Sequence, residues 1–154
     1  MKKVMVVLAV LGLAGSLWAA DPLIGTWKLN IEKSNFPPNF PSIPKEQTET
    51  YRELSNDQIE LTYQNVEKDG SSTLLVETYP IQGGMAKVQK GDSPYSFVQT
   101  RIGQDEWLVT YLRDGKQVGT RHKNISKDGN TLSQTISFND EGMTLELLLV
   151  LEKQ

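Results

Sequence analysis

Apolar and polar residues alternate with a period of two along nearly all of the chain beyond residue 20, and this limits what it can fold into. Trp27, Leu29 and Ile31 share one face, while Thr26, Lys28 and Asn30 share the other. The pattern returns in Ile59, Leu61 and Tyr63, in Leu74 and Val76, in Trp107, Val109 and Tyr111, and in Leu132, Gln134, Ile136 and Phe138. Leu145, Leu147, Leu149 and Leu151 close the series. Neighbouring side chains on a strand point to opposite sides, so this alternation sets one face in a core and the other in water. No segment carries the apolar stripe of a buried helix.

Turn chemistry separates the runs. Asp69-Gly70, Asp114-Gly115 and Asp128-Gly129 are hairpin signals, because glycine accepts positive φ without a Cβ clash. Asn139 to Gly142 reads as a longer turn, and Gln82-Gly83-Gly84 and Lys90 to Pro94 read as loops. Hairpins joined end to end give antiparallel neighbours, here about eight to ten strands. Such a meander leaves an edge at each end, and the last run, Leu147 to Leu151, is apolar on both faces. An exposed edge of that kind invites aggregation. Closure of the last strand onto the first removes it, so the sequence predicts an all-β, up-and-down antiparallel barrel.

Ser34 to Pro44 breaks the rhythm, with four prolines in a short stretch. It cannot be an interior strand, since proline has no ladder donor. Its apolar residues Phe36, Phe40 and Ile43 need burial, either as a rigid connection packed on the barrel or as a lid across its mouth.

Residues 1–20 read as an export signal: Lys2 and Lys3, an apolar run from Val4 to Leu13, then small residues ending in Ala19-Ala20. Gly12, Gly15 and Ser16 interrupt the run, which falls short of the ~20 apolar residues a spanning helix needs. Cleavage near Ala20 predicts a periplasmic or secreted domain, residues 21–154, with no stable membrane anchor. Loss of Lys2 and Lys3 makes the domain more acidic than the formal −3 of the whole chain, which disfavours a nucleic-acid partner. The chain has no cysteine, so no disulfide, thiolate metal site or cysteine nucleophile can form.

Gly25-Thr26-Trp27 at the head of the first strand resembles the Gly-x-Trp with which lipocalins and fatty-acid-binding proteins begin their barrels. The chain also resembles an exported bacterial family of lipocalin-like proteins. The shared blocks are Asp21 to Asn30, Lys33-Ser34, Asp114 to Lys116, Arg121, Ser126 to Leu132 and Glu152 to Gln154. The resemblance implies a calycin-type barrel. It also implies that Gly25 and Trp27 plug one end, with a late basic side chain packed across the indole. Lys153 and Arg121 are the two candidates for that contact. The family carries no established activity, so the resemblance speaks to fold rather than to function.

Catalytic chemistry finds little support. His122 is the only histidine, which rules out a site built from several histidines, and it lies between Arg121 and Lys123. It reads as a strand histidine facing a polar interior or solvent, with haem ligation inside the barrel as a thinly supported alternative. Glu46, Glu49, Glu53, Asp57, Glu60, Glu67 and Glu77 show no spacing that singles out an acid pair, and read as solvated charge. The sequence calls for no catalytic residue, metal or cofactor.

The barrel interior is what remains, either filled by side chains or open for one small ligand. Polar residues at positions that continue apolar faces mark a cavity: Tyr63, Tyr111, Arg113, His122 and Gln134, with Phe36 and Phe40 covering the mouth. The reading is a barrel that carries or sequesters a small hydrophobic or amphipathic molecule. The alternative is a filled barrel that binds other proteins, including a homodimer through the last strand, whose outward Leu148 and Val150 need cover.

Overall fold

A computed structural model describes residues 21–154, so the export segment, residues 1–20, lies outside the described residues. Eleven strands form one antiparallel sheet: β1 (Gly25–Leu29), β2 (Glu46–Leu54), β3 (Gln58–Val66), β4 (Ser72–Pro80), β5 (Gly83–Met85), β6 (Lys87–Lys90), β7 (Ser96–Arg101), β8 (Glu106–Arg113), β9 (Lys116–Ile125), β10 (Thr131–Asp140) and β11 (Met143–Lys153). Their order around the sheet is β5-β7-β8-β9-β10-β11-β1-β2-β3-β4-β6, with no helix among the described residues. The first and last strands pair, Trp27 opposite Lys153 and Leu29 opposite Leu151. Beyond β1, the edge of β11 is taken by the start of the proline-rich segment. Asn35 and Leu148 exchange both backbone hydrogen bonds, and Val150 N–H donates to Ser34 Oγ at 2.9 Å. Leu148 and Val150 are half-buried, and β11 has partners along both sides.

The seam lies at β5 and β6. These are two halves of one extended segment that changes partner at Ala86: Gly83 to Met85 pairs with β7, and Lys87 to Lys90 with β4. That split gives eleven strands where sequence patterning predicts eight to ten, because the glycine pair there reads as a loop. Two glycines allow the close approach. A Cβ on Gly83 would lie 2.7 Å from the Gln99 carbonyl oxygen, and one on Gly91 would overlap that of Leu74. The β8–β9 connection is the two-residue turn that Asp114-Gly115 predicts, with φ of 50° and 75°. Glu141-Gly142 makes another two-residue turn, tighter than the loop read from Asn139 to Gly142.

Two strands present the face opposite to the one their apolar residues indicate. In β4 it is Leu75, Glu77 and Tyr79 that face inward, not Leu74 and Val76. In β9 it is Gly119, Arg121 and Lys123, not Val118, Thr120 and His122. Register explains both. Leu61 pairs with Glu77 and Trp107 with Lys123, and a pair shares one face of the sheet.

The closed end is plugged by Leu23, Trp27, Ile59, Tyr79, Trp107 and Leu132, each at most 2% exposed. Trp27 Nε1 donates to the Leu23 carbonyl at 2.8 Å, which satisfies the indole. Lys153 Nζ sits 5.1 Å from the Trp27 ring centre, so Lys153 makes the indole contact. Gly25 makes room for it: a Cβ there would lie 2.9 Å from Lys153 Cε. A second cation, Arg101, lies 5.2 Å over Trp107 and pairs with the buried Asp21 at 2.6 Å.

Candidate ligand-binding site

Above the plug, the inward positions carry a belt of polar side chains. Glu49 of β2 is fully buried and collects four donors. Tyr51 Oη donates to its Oε2 at 2.5 Å and Gln134 Nε2 at 2.8 Å, while Gln47 Nε2 and Arg121 Nη1 reach Oε1 at 3.3 and 3.4 Å. Lys123 Nζ donates to Tyr51 Oη at 3.0 Å and lies over the same ring. On the other side, Gln99 Nε2 donates to Glu77 Oε1 at 3.2 Å. The belt holds two carboxylates and two cations, so charge is balanced within a low-dielectric interior, the condition under which buried ions are tolerated.

Burial shifts these groups in the directions expected. It pushes the Lys123 ammonium down to about 8, against the pull of Glu49, and the Tyr63 phenol up to about 12. It also raises the Glu77 carboxyl, although Lys123 and Arg121 oppose it. Tyr51 rises well above its usual value through burial first and Glu49 second.

Two cavities open above the belt. The first, about 320 Å³, runs beneath the proline-rich segment. Its walls are Phe36, Phe40 and Pro44 on one side and Ile136, Phe138, Leu145, Leu147 and Leu149 on the other. The second, about 340 Å³, lies beneath Asp92 to Tyr95 and is lined by Leu61, Leu75, Phe97 and Val109, with Glu77, Gln99 and Lys123 at its floor. Tyr63, Tyr95, Tyr111 and Arg121 line both. Phe138 stacks edge-on against Tyr95 and Tyr111, and Gly119 makes this possible, since a Cβ there would lie 2.5 Å from the Phe138 ring.

The structure gathers most of the candidate residues and sets others aside. Tyr63 and Tyr111 line both cavities, and Phe36 and Phe40, with ring centres 5.1 Å apart, line the first, so the proline-rich segment packs against that cavity. Asn39 Nδ2, donating to the Thr144 carbonyl, and Ser42 Oγ, donating to Glu67, tie it down. Gln134 is buried but lines neither cavity; its amide is committed to Glu49. Arg113 is not inside. As the last residue of β8 it sits at the rim, where it pairs with Asp140 at 2.9 Å and Glu141, and donates to Tyr95 Oη at 3.0 Å. His122 is not inside either: it points outward, 3.9 Å from Glu106, which removes the haem reading. Arg121 does not touch Trp27. It faces the cavities, 5.6 Å over Tyr111, because β9 turns its odd-numbered residues inward.

Sequence patterning misses Glu49, Glu77, Gln99 and Lys123 as interior groups, and reads the two acids as solvated. The usable signal is register. Glu49 shares the face of Tyr51, and Glu77 that of Tyr79, in strands whose apolar residues alone leave the inner face ambiguous. Among the described residues, no cluster of three or more His, Cys, Asp or Glu is placed to hold a metal ion.

No family model and no curated protein matches the chain. Solved structures do. A point mutant of the fluorescent protein UnaG superposes with a TM-score of 0.59 at 13% identity, covering 88% of this chain and 99% of that one. The zebrafish ileal bile acid-binding protein, complexed with cholic acid, gives 0.56 at 12% identity, covering 86% and 99%. The likeness is one of fold, an all-β, up-and-down antiparallel barrel. In this barrel the segment between the first two strands, residues 30–45, contains no helix, and the proline-rich stretch occupies it.

Proposed function

We propose that the protein is an exported, non-enzymatic barrel that carries or sequesters a small hydrophobic or amphipathic molecule, with its anionic or polar end at Arg121. One observation carries this reading. Arg121 is the cation that both cavities share, its side chain is 18% exposed, and its contact with Glu49, at 3.4 Å, leaves most of the guanidinium's donors free. Apolar walls and a few convergent polar groups are the ordinary make-up of a small-molecule site. Tyr63 and Tyr111 stand beside Arg121 to orient the ligand, and Phe36 and Phe40 cover it. The neighbour crystallised with cholic acid supports this class of ligand. The two cavities count against a solid barrel whose outer surface alone does the work.

The test is fluorescence titration with anilinonaphthalene sulfonate, followed by displacement with dodecanoate and cholate. Saturable enhancement reversed by either acid is the expected result; no enhancement, or enhancement that neither acid reverses, contradicts the reading. N-terminal sequencing of protein recovered outside the cytoplasm tests export. A start at or near Asp21 is expected, and an intact Met1 contradicts it.

A further inference from the structure

The interior holds two adjoining cavities of nearly equal size, about 320 and 340 Å³, and the side chains of Tyr63, Tyr95, Tyr111 and Arg121 line both. The first is walled by β2, β3, β10, β11 and the proline-rich segment, with Glu67 in its lining, and the second by β3, β4, β7 and β8, with Glu77 and Lys123 at its floor. Each alone stands at the small end of the range for ligand pockets, about 300–1,000 Å³. Arg121 is the cation that lines both cavities. An anion seated on Arg121 therefore has the apolar space of both cavities beside it.

We propose that the barrel's ligand is a two-armed anion: one acidic group held at Arg121, with an apolar arm in each cavity. This rests on the ligand-binding reading above and adds the shape of the ligand to it. A linear acid of the same size, anchored by its terminal carboxylate, has a single chain and can fill only one cavity. The remainder of that chain must double back past the tyrosines or stay in water. A branched acid splits its apolar bulk between the two cavities.

Tyr95 is held in the shared lining. Its hydroxyl accepts from Arg113 at 3.0 Å and lies 3.3 Å from Asp140, and its ring lies edge-on to Tyr111 and Phe138. It is carried by the connection ahead of β7 rather than by a strand, so its removal joins the two cavities with little demand on the sheet.

Hexadecanoate and its isomer hexyldecanoate, whose carboxylate stands between a hexyl and an octyl arm, have the same formula and differ only in this respect. Each is used to displace anilinonaphthalene sulfonate from the full protein, with native mass spectrometry to count bound molecules. The branched isomer is expected to bind one to one and about ten-fold tighter, the ratio that roughly two unburied methylene groups would produce. In Tyr95→Ala the ratio is expected to fall towards one. Equal or tighter binding of hexadecanoate, or two copies of either acid bound together, would overturn the two-armed ligand while leaving ligand binding intact. Displacement by neither acid would remove both proposals.

Discussion

Glu49 and Arg121 meet across the inside of the barrel, from strands β2 and β9 that are not neighbours in the sheet. Gln134 and Lys123 reach the same β2 residues, Glu49 and Tyr51, so opposite walls are tied by polar contacts through the middle of the structure. A barrel with open cavities lacks the packed core that would otherwise hold its walls at a fixed separation, and this belt takes that part.

Glu49→Gln is therefore expected to destabilise the protein by about 3–5 kcal/mol, because it leaves Arg121 and Lys123 short of counter-charge inside. Adding Arg121→Gln should recover part of that loss, since the second change removes the stranded cation. Urea unfolding of the two single variants and the double variant reads the coupling.

The plug is tested from its two sides. Lys153→Met keeps the length of the side chain and removes the charge over Trp27, with an expected loss of about 0.5–1 kcal/mol. Arg121→Met should leave Trp27 fluorescence and its quenching unchanged, since the guanidinium lies over Tyr111 instead.

The succession of antiparallel strands is legible in the sequence because it depends on alternation and turn chemistry, both local signals; closure of last strand on first follows from the two-faced apolar run Leu147 to Leu151, and the plug from the resemblance carried by Gly25-Thr26-Trp27. The interior is less so. Alternation says that β4 and β9 have two faces, but Leu74 and Val76 make the outer face of β4 the more apolar of the two. Only pairing with β3 and β8 settles which face is inner, and pairing is a property of the folded sheet. Arg113 lies outside the cavities for a related reason: alternation runs on past the point where the strand leaves the barrel.

Gly119 is expected to tolerate no side chain. Gly119→Ala places a methyl group 2.5 Å from the Phe138 ring and 2.8 Å from the Ser137 carbonyl oxygen, and the second of these is backbone. The expected loss is about 1–3 kcal/mol, with the larger effect on ligand affinity because Phe138 lines the first cavity. Thermal unfolding and probe titration on the same sample separate the two.

Stability should rise with pH through the mildly alkaline range. Lys123 is lowered to about 8 by burial, from 10.5, so between those values the folded protein binds fewer protons than the unfolded one. This contribution is fully present above 10.5 and is lost as pH falls through about 8. The slope approaches at most about 1.4 kcal/mol per pH unit. Tyr51 and Tyr79 act oppositely above about 10, because their buried phenols hold protons that the unfolded chain releases. Urea unfolding between pH 8 and 10 should show the rise in the wild type and a flatter profile in Lys123→Met.

Nitrogen-detected NMR of the protein titrated with dodecanoate tests the account at its centre. Inward residues should shift together and saturate at one affinity: the Arg121 side-chain Nε–H and the backbone amides of Tyr63, Tyr111, Phe36 and Phe40. Outward His122 and Arg52 should stay in place. Shifts confined to exposed residues, with the Arg121 Nε–H unmoved at saturating acid, would contradict it.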